Sequence, residues 1–294
     1  MIVLLVAAAL AGAIAWLAAR AALRRWWGRA PSAAVAEEVR EHTRVGRFVS
    51  SRFDAEALTG LALTLAFAAV IMAGVVISIL AVLVRRSEAL ADLDSAAARW
   101  AQHHNGALDH RILEDITNLA STPGVIVIAV AIGVIEWIRV PSRWIPAFLL
   151  VVILGDSLVT SVLKALIDRA RPTIDPVAAT LGPSFPSGHS STAAALFAAL
   201  ALLAGRRRST EVRAALAGLA VGLAVAVACS RVLLDLHWVS DVVAGLALGW
   251  AWFAVCAIAF GGWLLRLGAP VEQAAHVSEP SSTSAQREPD STRS

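Results

Sequence analysis

The stretch WIPAFLLVVILGDSLVTSVLKALIDRARP, residues 144–172, determines how the fold of this chain is interpreted. Its apolar part is long enough to cross the hydrocarbon core of a bilayer as a helix, which takes about 20 residues. Lys164, the only lysine in the chain, ends the apolar part, and Arg169 and Arg171 follow before Pro172. The stretch therefore predicts a membrane-spanning helix with a short cationic segment at its end.

The composition of the whole chain indicates an integral membrane protein. Of its 294 residues, 58% are hydrophobic and 16% are charged, and the mean hydropathy is +0.70. A soluble domain of this length is less apolar. The apolar windows lack the alternation of a membrane β-barrel, so we expect an all-α, polytopic membrane helical bundle. Seven windows are long enough to span the bilayer, namely residues 2–19, 57–84, 116–135, 144–163, 190–205, 214–230 and 242–265.

The distribution of cationic residues predicts the orientation of these helices. Short loops rich in arginine stay on the cytoplasmic side of a membrane. Alternate loops of this chain hold 17 of its 25 cationic residues, so we expect that side to be inside. The opposite loops hold eight, among them Lys164, Arg169, Arg171 and Arg231. We therefore expect a multi-pass plasma-membrane protein with these four cations on the extracytoplasmic side.

Four regions follow from these patterns. We expect an N-terminal transmembrane helix over residues 1–19, a cytoplasmic arginine-rich connector over residues 20–56 and a membrane domain over residues 57–265. Residues 266–294 are rich in polar residues and predict a disordered cytoplasmic tail. The first window could also be a signal peptide, but its arginines come after the apolar run, so we favour a retained helix.

Charge and cysteine content argue against other classes of protein. The net charge of +3 is explained by membrane topology and gives no reason to expect nucleic acid as a partner. Cys229 and Cys256 both lie in apolar windows, which argues against a disulfide framework and against a thiolate zinc site.

Lys164 and Arg171 form the first candidate motif. They are seven residues apart, two turns if the helix continues, so both could reach one point at the membrane surface. An ammonium and a planar guanidinium together suit the oxygens of one phosphoryl group. Pro172 would then stop the helix. The alternative is that both cations simply mark the end of a spanning helix, with their heads drawn to the interface.

The second candidate motif opens the next apolar helix. Ser187, Gly188 and His189 would place backbone N–H groups, a hydroxyl and an imidazole where the helix dipole favours an anion. That arrangement is typical of a phosphate cradle with a proton donor beside it. The alternative is an ordinary helix start, with Ser187 as the cap and His189 exposed in the first turn.

The third candidate motif lies in the second outward loop, residues 230–241. His237 and Asp241 are spaced i,i+4, so on a helix the carboxylate could accept from one ring nitrogen and leave the other as a nucleophile or base. Asp235 would face away on the same helix. The alternative is a structural pair at a helix start. The predicted topology places all three motifs on one side of the membrane.

Two further polar sites leave alternatives open. Asp156 lies within an apolar span, where a carboxylate has either a functional role or a structural hydrogen bond to a neighbouring helix. His103, His104 and Asn105 lie in the predicted outward loop between residues 85 and 121. They could contact a headgroup or begin a metal site, but a solvated loop is favoured because spaced partner ligands are missing.

The three motifs together resemble the type 2 phosphatidic acid phosphatase (PAP2) superfamily, which also includes bacterial acid phosphatases and vanadium haloperoxidases. Lys164 with Arg171-Pro172 is similar to its first signature, and the run Pro186-Ser187-Gly188-His189 to its second. The third signature is matched by Ser230-Arg231, His237 and Asp241. The resemblance covers roughly residues 58–265 and implies a six-helix PAP2-like core plus one extra N-terminal helix. Many relatives have proline where this chain has Val239, a departure that concerns loop stiffness.

The resemblance also implies a two-step mechanism without metal or other cofactor. His237 would attack phosphorus and form a phosphohistidine, while His189 protonates the leaving oxygen and then activates water. Asp241 would hold the His237 tautomer. The implied phosphate ligands are Lys164, Arg171, Ser187, Gly188 and Arg231.

The expected partner is a lipid that carries a phosphate or diphosphate and keeps its tail in the bilayer. Undecaprenyl diphosphate is favoured because the predicted site faces outward, followed by phosphatidic acid and phosphatidylglycerol phosphate. The same residues would also suit a phosphotransferase or, with recognition alone, a lipid-phosphate transporter or flippase. A haloperoxidase is disfavoured because those relatives are typically soluble. The oligomeric state is left open.

Overall fold

The computed structural model describes residues 2–27, 55–104, 107–139, 141–172, 182–206 and 208–266. Every regular element in these ranges is a helix, which confirms the all-α prediction. Most of the expected connector and nearly all of the expected tail lie outside the described residues. The helices are α1 (Ile2–Trp27), α2 (Ala55–Arg86), α3 (Glu88–His104), α4 (Ala107–Asn118), α5 (Thr122–Arg139), α6 (Trp144–Ile167), α7 (Gly188–Gly205), α8 (Thr210–Leu233) and α9 (Val239–Arg266).

Five of these helices are long and apolar enough to cross a membrane, judged by length and composition. They are α5, α6, α7, α8 and the part of α9 up to Phe260. A sixth span would need residues of α2 and α3 to act as one, although that pair is bent by 91°. Val6–Ala21 within α1 is a shorter apolar helix. The chain is thus a polytopic membrane bundle, and the expected number of core spans remains a prediction.

Most of the described residues between 85 and 121 belong to the helices α3 and α4, so the expectation of a loop there was wrong. α3 and α4 are amphipathic, with apolar residues at helical spacing between charged ones. Ala101 of α3 and Leu113 of α4 are fully buried and pack with Leu233 and Leu234 at the end of α8. A search for continuous apolar windows does not detect such helices, because only one face of each is apolar.

Small residues let the central helices α7 and α9 pack closely. A Cβ atom at Gly249 of α9 would lie 2.1 Å from the backbone oxygen of Ser191. One at Gly245 would lie 2.5 Å from the backbone oxygen of Ser187, at the start of α7. Glycine at these two positions therefore sets the distance between α9 and the end of α7 that carries the second motif.

A buried carboxylate joins α6 to α7. Asp156 of α6 is fully buried and accepts hydrogen bonds from the hydroxyl of Ser191 and, at 2.9 Å, from that of Thr192. Of the two roles considered for Asp156, these contacts match the structural hydrogen bond to a neighbouring helix.

Helix α1 packs against α8 through glycines on both helices. A Cβ atom at Gly12 would lie 2.8 Å from the backbone oxygen of Gly218, and one at Gly222 would lie 3.1 Å from that of Ala8. Arg20 and Glu211 form an ion pair of 3.1 Å beside this contact. The N-terminal helix is therefore seated on the bundle.

We expect Gly249→Ala to destabilise the protein by about 1–3 kcal/mol, because the added methyl group overpacks the contact between α7 and α9. The matched control is Gly74→Ala in α2, where a Cβ atom would meet nothing within 4 Å. Thermal unfolding of both variants in the same detergent measures the difference. Equal melting temperatures for the two variants would contradict the close contact.

Candidate active site

The ends of four helices meet at one end of the bundle. The C-terminal ends of α6 and α8 lie beside the N-terminal ends of α7 and α9, as the hydrogen bonds between their connecting segments show. Helix α6 ends at Ile167 because Asp168 adopts a left-handed conformation with φ of 45°. The helix therefore does not continue from Lys164 to Arg171, and it ends five residues before Pro172.

Arg171 reaches the second loop instead of running along α6. Its Nε donates to the carbonyl of Gly182 at 2.9 Å, and its Nη1 donates to the carbonyl of Leu236 at 2.7 Å. The same Nη1 lies 3.3 Å from Nε2 of His237. Two of the three sequence motifs are thus in direct contact through a buried guanidinium.

Arg231 and Lys164 add positive charge at the same place. Arg231 is buried, and its Nη1 donates to the hydroxyl of Thr117 at 3.2 Å. Its Nε is buried without a hydrogen-bond partner among the described residues. Lys164 is partly buried and interacts electrostatically with both Arg171 and Arg231. Three cations therefore share one partly dehydrated site.

The start of α7 contributes the second motif to this cluster. Ser187 precedes the helix with an extended backbone, and its N–H donates to the carbonyl of Asp241 at 3.0 Å. Its hydroxyl accepts from that of Ser190 at 3.0 Å and does not cap the helix. The first N–H groups of a helix, here beginning with Gly188, lack intrahelical partners and can bind an anion. His189 is partly buried and interacts electrostatically with Arg231 and the other cations.

His237 and Asp241 are close, but they do not share a helix. α9 begins at Val239, so His237 lies before it in a turn. Nδ1 of His237 lies 3.5 Å from Oδ2 of Asp241 and makes no hydrogen bond within the described part of the chain. Oδ2 of Asp241 accepts instead from the backbone N–H of Trp238 at 3.0 Å. That bond satisfies an N–H at the start of α9, as an acidic residue in a first turn commonly does.

Burial keeps His237 neutral. Its side chain is 2% exposed, and this loss of hydration lowers its pKa to about 4. Asp241 opposes the shift, while Arg231 and Arg171 add to it. The imidazole therefore carries no charge at neutral pH, and one of its nitrogens has a free lone pair.

Sequence reasoning assigned no role to three residues that hold this site together. Arg169 was noted only as a cation, yet it forms ion pairs with Asp94 at 2.8 Å and with Asp241 at 2.6 Å. Thr117 of α4 accepts from Arg231. Asp94 lies in the predicted loop and Thr117 at the start of the predicted window 116–135, and no sequence signal placed either residue near the site.

A cavity of about 440 Å³ adjoins the cluster on the α4 side. Thr117, the residue bound to Arg231, forms part of its wall. The other lining residues are His110, Glu114, Asn118, Leu234 and Leu236.

Of the other candidate ligands, the structure describes only the side chain of His103. His103 is exposed on α3, while the side chain of His104 and all of Asn105 lie outside the described residues. Among the side chains that the structure describes, no three from His, Cys, Asp or Glu are grouped as a metal site would require.

Comparison with known proteins finds a family model and several named relatives that match this chain. The profile of the family described as "PAP2 superfamily" matches residues 146–263. The chain is 39% identical over 137 residues to a protein named Lipid A 1-phosphatase from Rhizobium johnstonii, which covers 42% of this chain and 52% of the relative. A second Lipid A 1-phosphatase, from Rhizobium etli, is 38% identical over 122 residues, 38% of this chain and 48% of the relative. The chain therefore spans about half the length of these two relatives.

Two matches from Bacillus subtilis, one to a sequence and one to a solved structure, are longer. Phosphatidylglycerophosphatase B is 31% identical over 145 residues, which cover 48% of this chain and 70% of the relative. The crystal structure described as a transmembrane PAP2 type phosphatidylglycerolphosphate phosphatase superposes with a TM-score of 0.61 and 27% identity. The superposed region covers 66% of this chain and 96% of the chain in that crystal structure. From the motifs, the fold and these matches together, the chain belongs to the PAP2 superfamily.

Proposed function

We propose that this protein is a membrane-embedded phosphatase that hydrolyses a lipid phosphate or diphosphate through a phosphohistidine on His237. The observation that carries the proposal is the environment of that ring. Its Nε2 lies 3.3 Å from Arg171 and its Nδ1 lies 3.5 Å from Asp241. One nitrogen thus lies beside the cation cluster and the other beside a carboxylate.

The contact with Arg171 determines the tautomer that the mechanism requires. A guanidinium can only donate hydrogen bonds, so a ring nitrogen beside it is the one with the lone pair. In neutral His237 the proton then resides on Nδ1, beside Asp241, and Nε2 carries the lone pair that would attack phosphorus. The 3.5 Å separation is long for a hydrogen bond, and such catalytic contacts often shorten when substrate binds.

The cation cluster supplies the electrostatic part of the proposal. Lys164, Arg171 and Arg231 would bind the equatorial oxygens of the phosphoryl group, together with Ser187 and the N–H of Gly188. Nε of Arg231 supports this assignment because, within the described residues, it is a buried donor without an acceptor. An anionic oxygen would supply that acceptor and would offset the mutual repulsion of the three cations.

The proposed reaction proceeds in two steps, phosphorylation of His237 and hydrolysis of the phosphohistidine. The lone pair of His237 Nε2 forms a bond to phosphorus as the bond from phosphorus to the leaving oxygen breaks, and the protonated imidazole of His189 gives its proton to that oxygen and becomes neutral. A water molecule next attacks phosphorus and loses a proton to His189. The phosphorus–nitrogen bond breaks with its electron pair returning to Nε2, and inorganic phosphate is released.

The proposed substrate is a lipid, because the site lies at the end of membrane-spanning helices. The names of the relatives point to two phosphate monoesters, lipid A 1-phosphate and phosphatidylglycerol phosphate. Undecaprenyl diphosphate remains the substrate favoured by the outward-facing topology that the arginine distribution predicts. The proposed location is accordingly the plasma membrane, with the site on the extracytoplasmic side.

We expect the purified protein in detergent to release phosphate in the presence of excess chelator, because the proposed steps use only side chains. Undecaprenyl diphosphate, phosphatidic acid, phosphatidylglycerol phosphate and lipid A would be compared in a phosphate-release assay. His237→Ala should abolish release. A folded wild-type protein that releases nothing from any lipid would contradict the phosphatase and favour a transporter, while transfer to an added alcohol without free phosphate would favour a phosphotransferase.

We expect Lys164→Ala to lower kcat/KM by about 10²- to 10³-fold, the usual cost of removing one ligand of a developing negative charge. Lys164→Arg should lose less, because the charge is kept. The matched control is Arg86→Ala, which removes an exposed cation from the end of α2. Normal turnover by Lys164→Ala would show that this lysine marks only the end of a helix.

We expect the stability of the protein to fall as the pH is lowered from about 7 to about 5 in a way that depends on His237. Its pKa is about 4 in the folded protein, below the value of about 6.5 for a free histidine, so the unfolded chain binds more protons in this range. Over this pH range, the melting temperature of His237→Asn should therefore fall less than that of the wild type. His103→Asn, an exposed control, should behave as the wild type does. Identical pH dependence of all three proteins would contradict a buried neutral His237.

A further inference from the structure

Arg169 bridges two buried carboxylates from different helices. Its Nη2 lies 2.8 Å from Oδ2 of Asp94 in α3, and its Nη1 lies 2.6 Å from Oδ1 of Asp241 in α9. Nη1 also donates to the hydroxyl of Ser240 at 2.7 Å. The carboxylates of Asp94 and Asp241 are 1% and 0% exposed, so both are withdrawn from water and both pair with this guanidinium.

Asp94 is anchored independently of Arg169. Its Oδ1 accepts from the backbone N–H of Ser240 at 3.1 Å, and its Oδ2 accepts from the hydroxyl of Ser240. Both bonds lie at the start of α9, next to Asp241. Because buried charges are costly unless they are paired and hydrogen-bonded, Asp94 has a single favourable position, and it fixes Arg169 in turn.

Arg169 is oriented by a third contact as well. Its guanidinium lies 5.4 Å from the centre of the Trp238 ring, within the range of a cation–π interaction. The indole N–H of Trp238 donates to the carbonyl of Ala170 at 3.0 Å, which closes the arrangement around the arginine. Both Nη atoms of Arg169 are used by carboxylates, so Arg169 is not a further phosphate ligand of the cradle.

The bridge determines where the carboxylate of Asp241 can lie. Oδ1 is held by Arg169, and Oδ2 accepts from the N–H of Trp238 and lies 3.5 Å from His237. His237 contributes no hydrogen bond of its own to this placement in the described chain. The contacts with Arg169 and with the N–H of Trp238 thus hold the Asp241 carboxylate in the position that faces Nδ1.

We propose that Arg169 and Asp94 are positioning residues of the reaction, which hold Asp241 so that His237 presents Nε2 to phosphorus. The proposal rests on the proposed function and adds to it two buried residues, Asp94 of α3 and Arg169, that act through Asp241 and contact no substrate atom. Misplacing a nucleophile slightly lowers the rate of attack while the cations that bind phosphate stay in place.

Vanadate and phosphate distinguish the two parts of the site. Vanadate forms a five-coordinate species that resembles the transition state and needs the nucleophile nitrogen in position. Inorganic phosphate needs only the cations. Inhibition constants do not depend on the fraction of molecules that is folded, so a variant that simply folds poorly changes neither constant.

The experiment compares Arg169→Lys and Asp94→Asn in the full chain, purified in detergent, with Arg85→Lys as the matched control. Arg85 also forms hydrogen bonds at the end of α6, to the carbonyls of Leu166 and Ile167, both at 3.0 Å. We expect the two positioning variants to lose about 10- to 100-fold in kcat. The inhibition constant of vanadate should rise at least about tenfold and that of phosphate less than about twofold. Arg85→Lys should keep both constants and kcat.

Two results would overturn the proposal. Unchanged vanadate inhibition in both Arg169→Lys and Asp94→Asn would show that the bridge has a structural role only. An equal rise of both inhibition constants would show that it supports the phosphate cradle and not the nucleophile. Failure of the wild type to release phosphate would instead overturn the proposed function itself, which the same assay records first.

Discussion

The structure depends on the compensation of charge that is buried at the end of an apolar helix bundle. Arg169, Asp94 and Asp241 are almost withdrawn from water, and each is stabilised only by the others and by the polar groups beside them. Arg171 is treated differently, since its hydrogen bonds go to the neutral carbonyls of Gly182 and Leu236 and it forms no ion pair within the described part of the chain. The end of the bundle therefore contains a neutralised part and a part with excess positive charge, side by side.

Close helix packing makes this separation of charge possible. Glycines of α9 bring its first turns against the start of α7, so the carbonyl of Asp241 can accept from the N–H of Ser187. The second and third sequence motifs are thereby joined through the main chain. A bundle with larger side chains at Gly245 and Gly249 would separate them by the width of a methyl group or more, and the buried charges would lose their partners.

Much of this arrangement could be predicted from the sequence, and the failures have specific causes. The helical class followed from continuous apolar windows, and the motifs around Lys164, Ser187 and His237 were visible because their residues are close in the chain. The path from Lys164 to Arg171 could not be predicted, because the left-handed conformation of Asp168 ends the helix. Glycine is the usual signal of that conformation, and aspartate adopts it less often. Asp94 could not be assigned from the sequence because it lies 75 residues from Arg169. It also belongs to a helix with a single apolar face, which does not form a continuous apolar window.

The seam between α7 and α9 restricts where a lipid substrate could reach the proposed site. The backbone oxygens of Ser187 and Ser191 lie directly against Gly245 and Gly249 there, and the short side chains of Ser190 and Ala194 pack beside them. Separating the two helices would also break the bond between Ser187 and Asp241. The seam therefore fixes α7 against α9, and a lateral path for a lipid to the proposed site would have to open between other helices of the bundle.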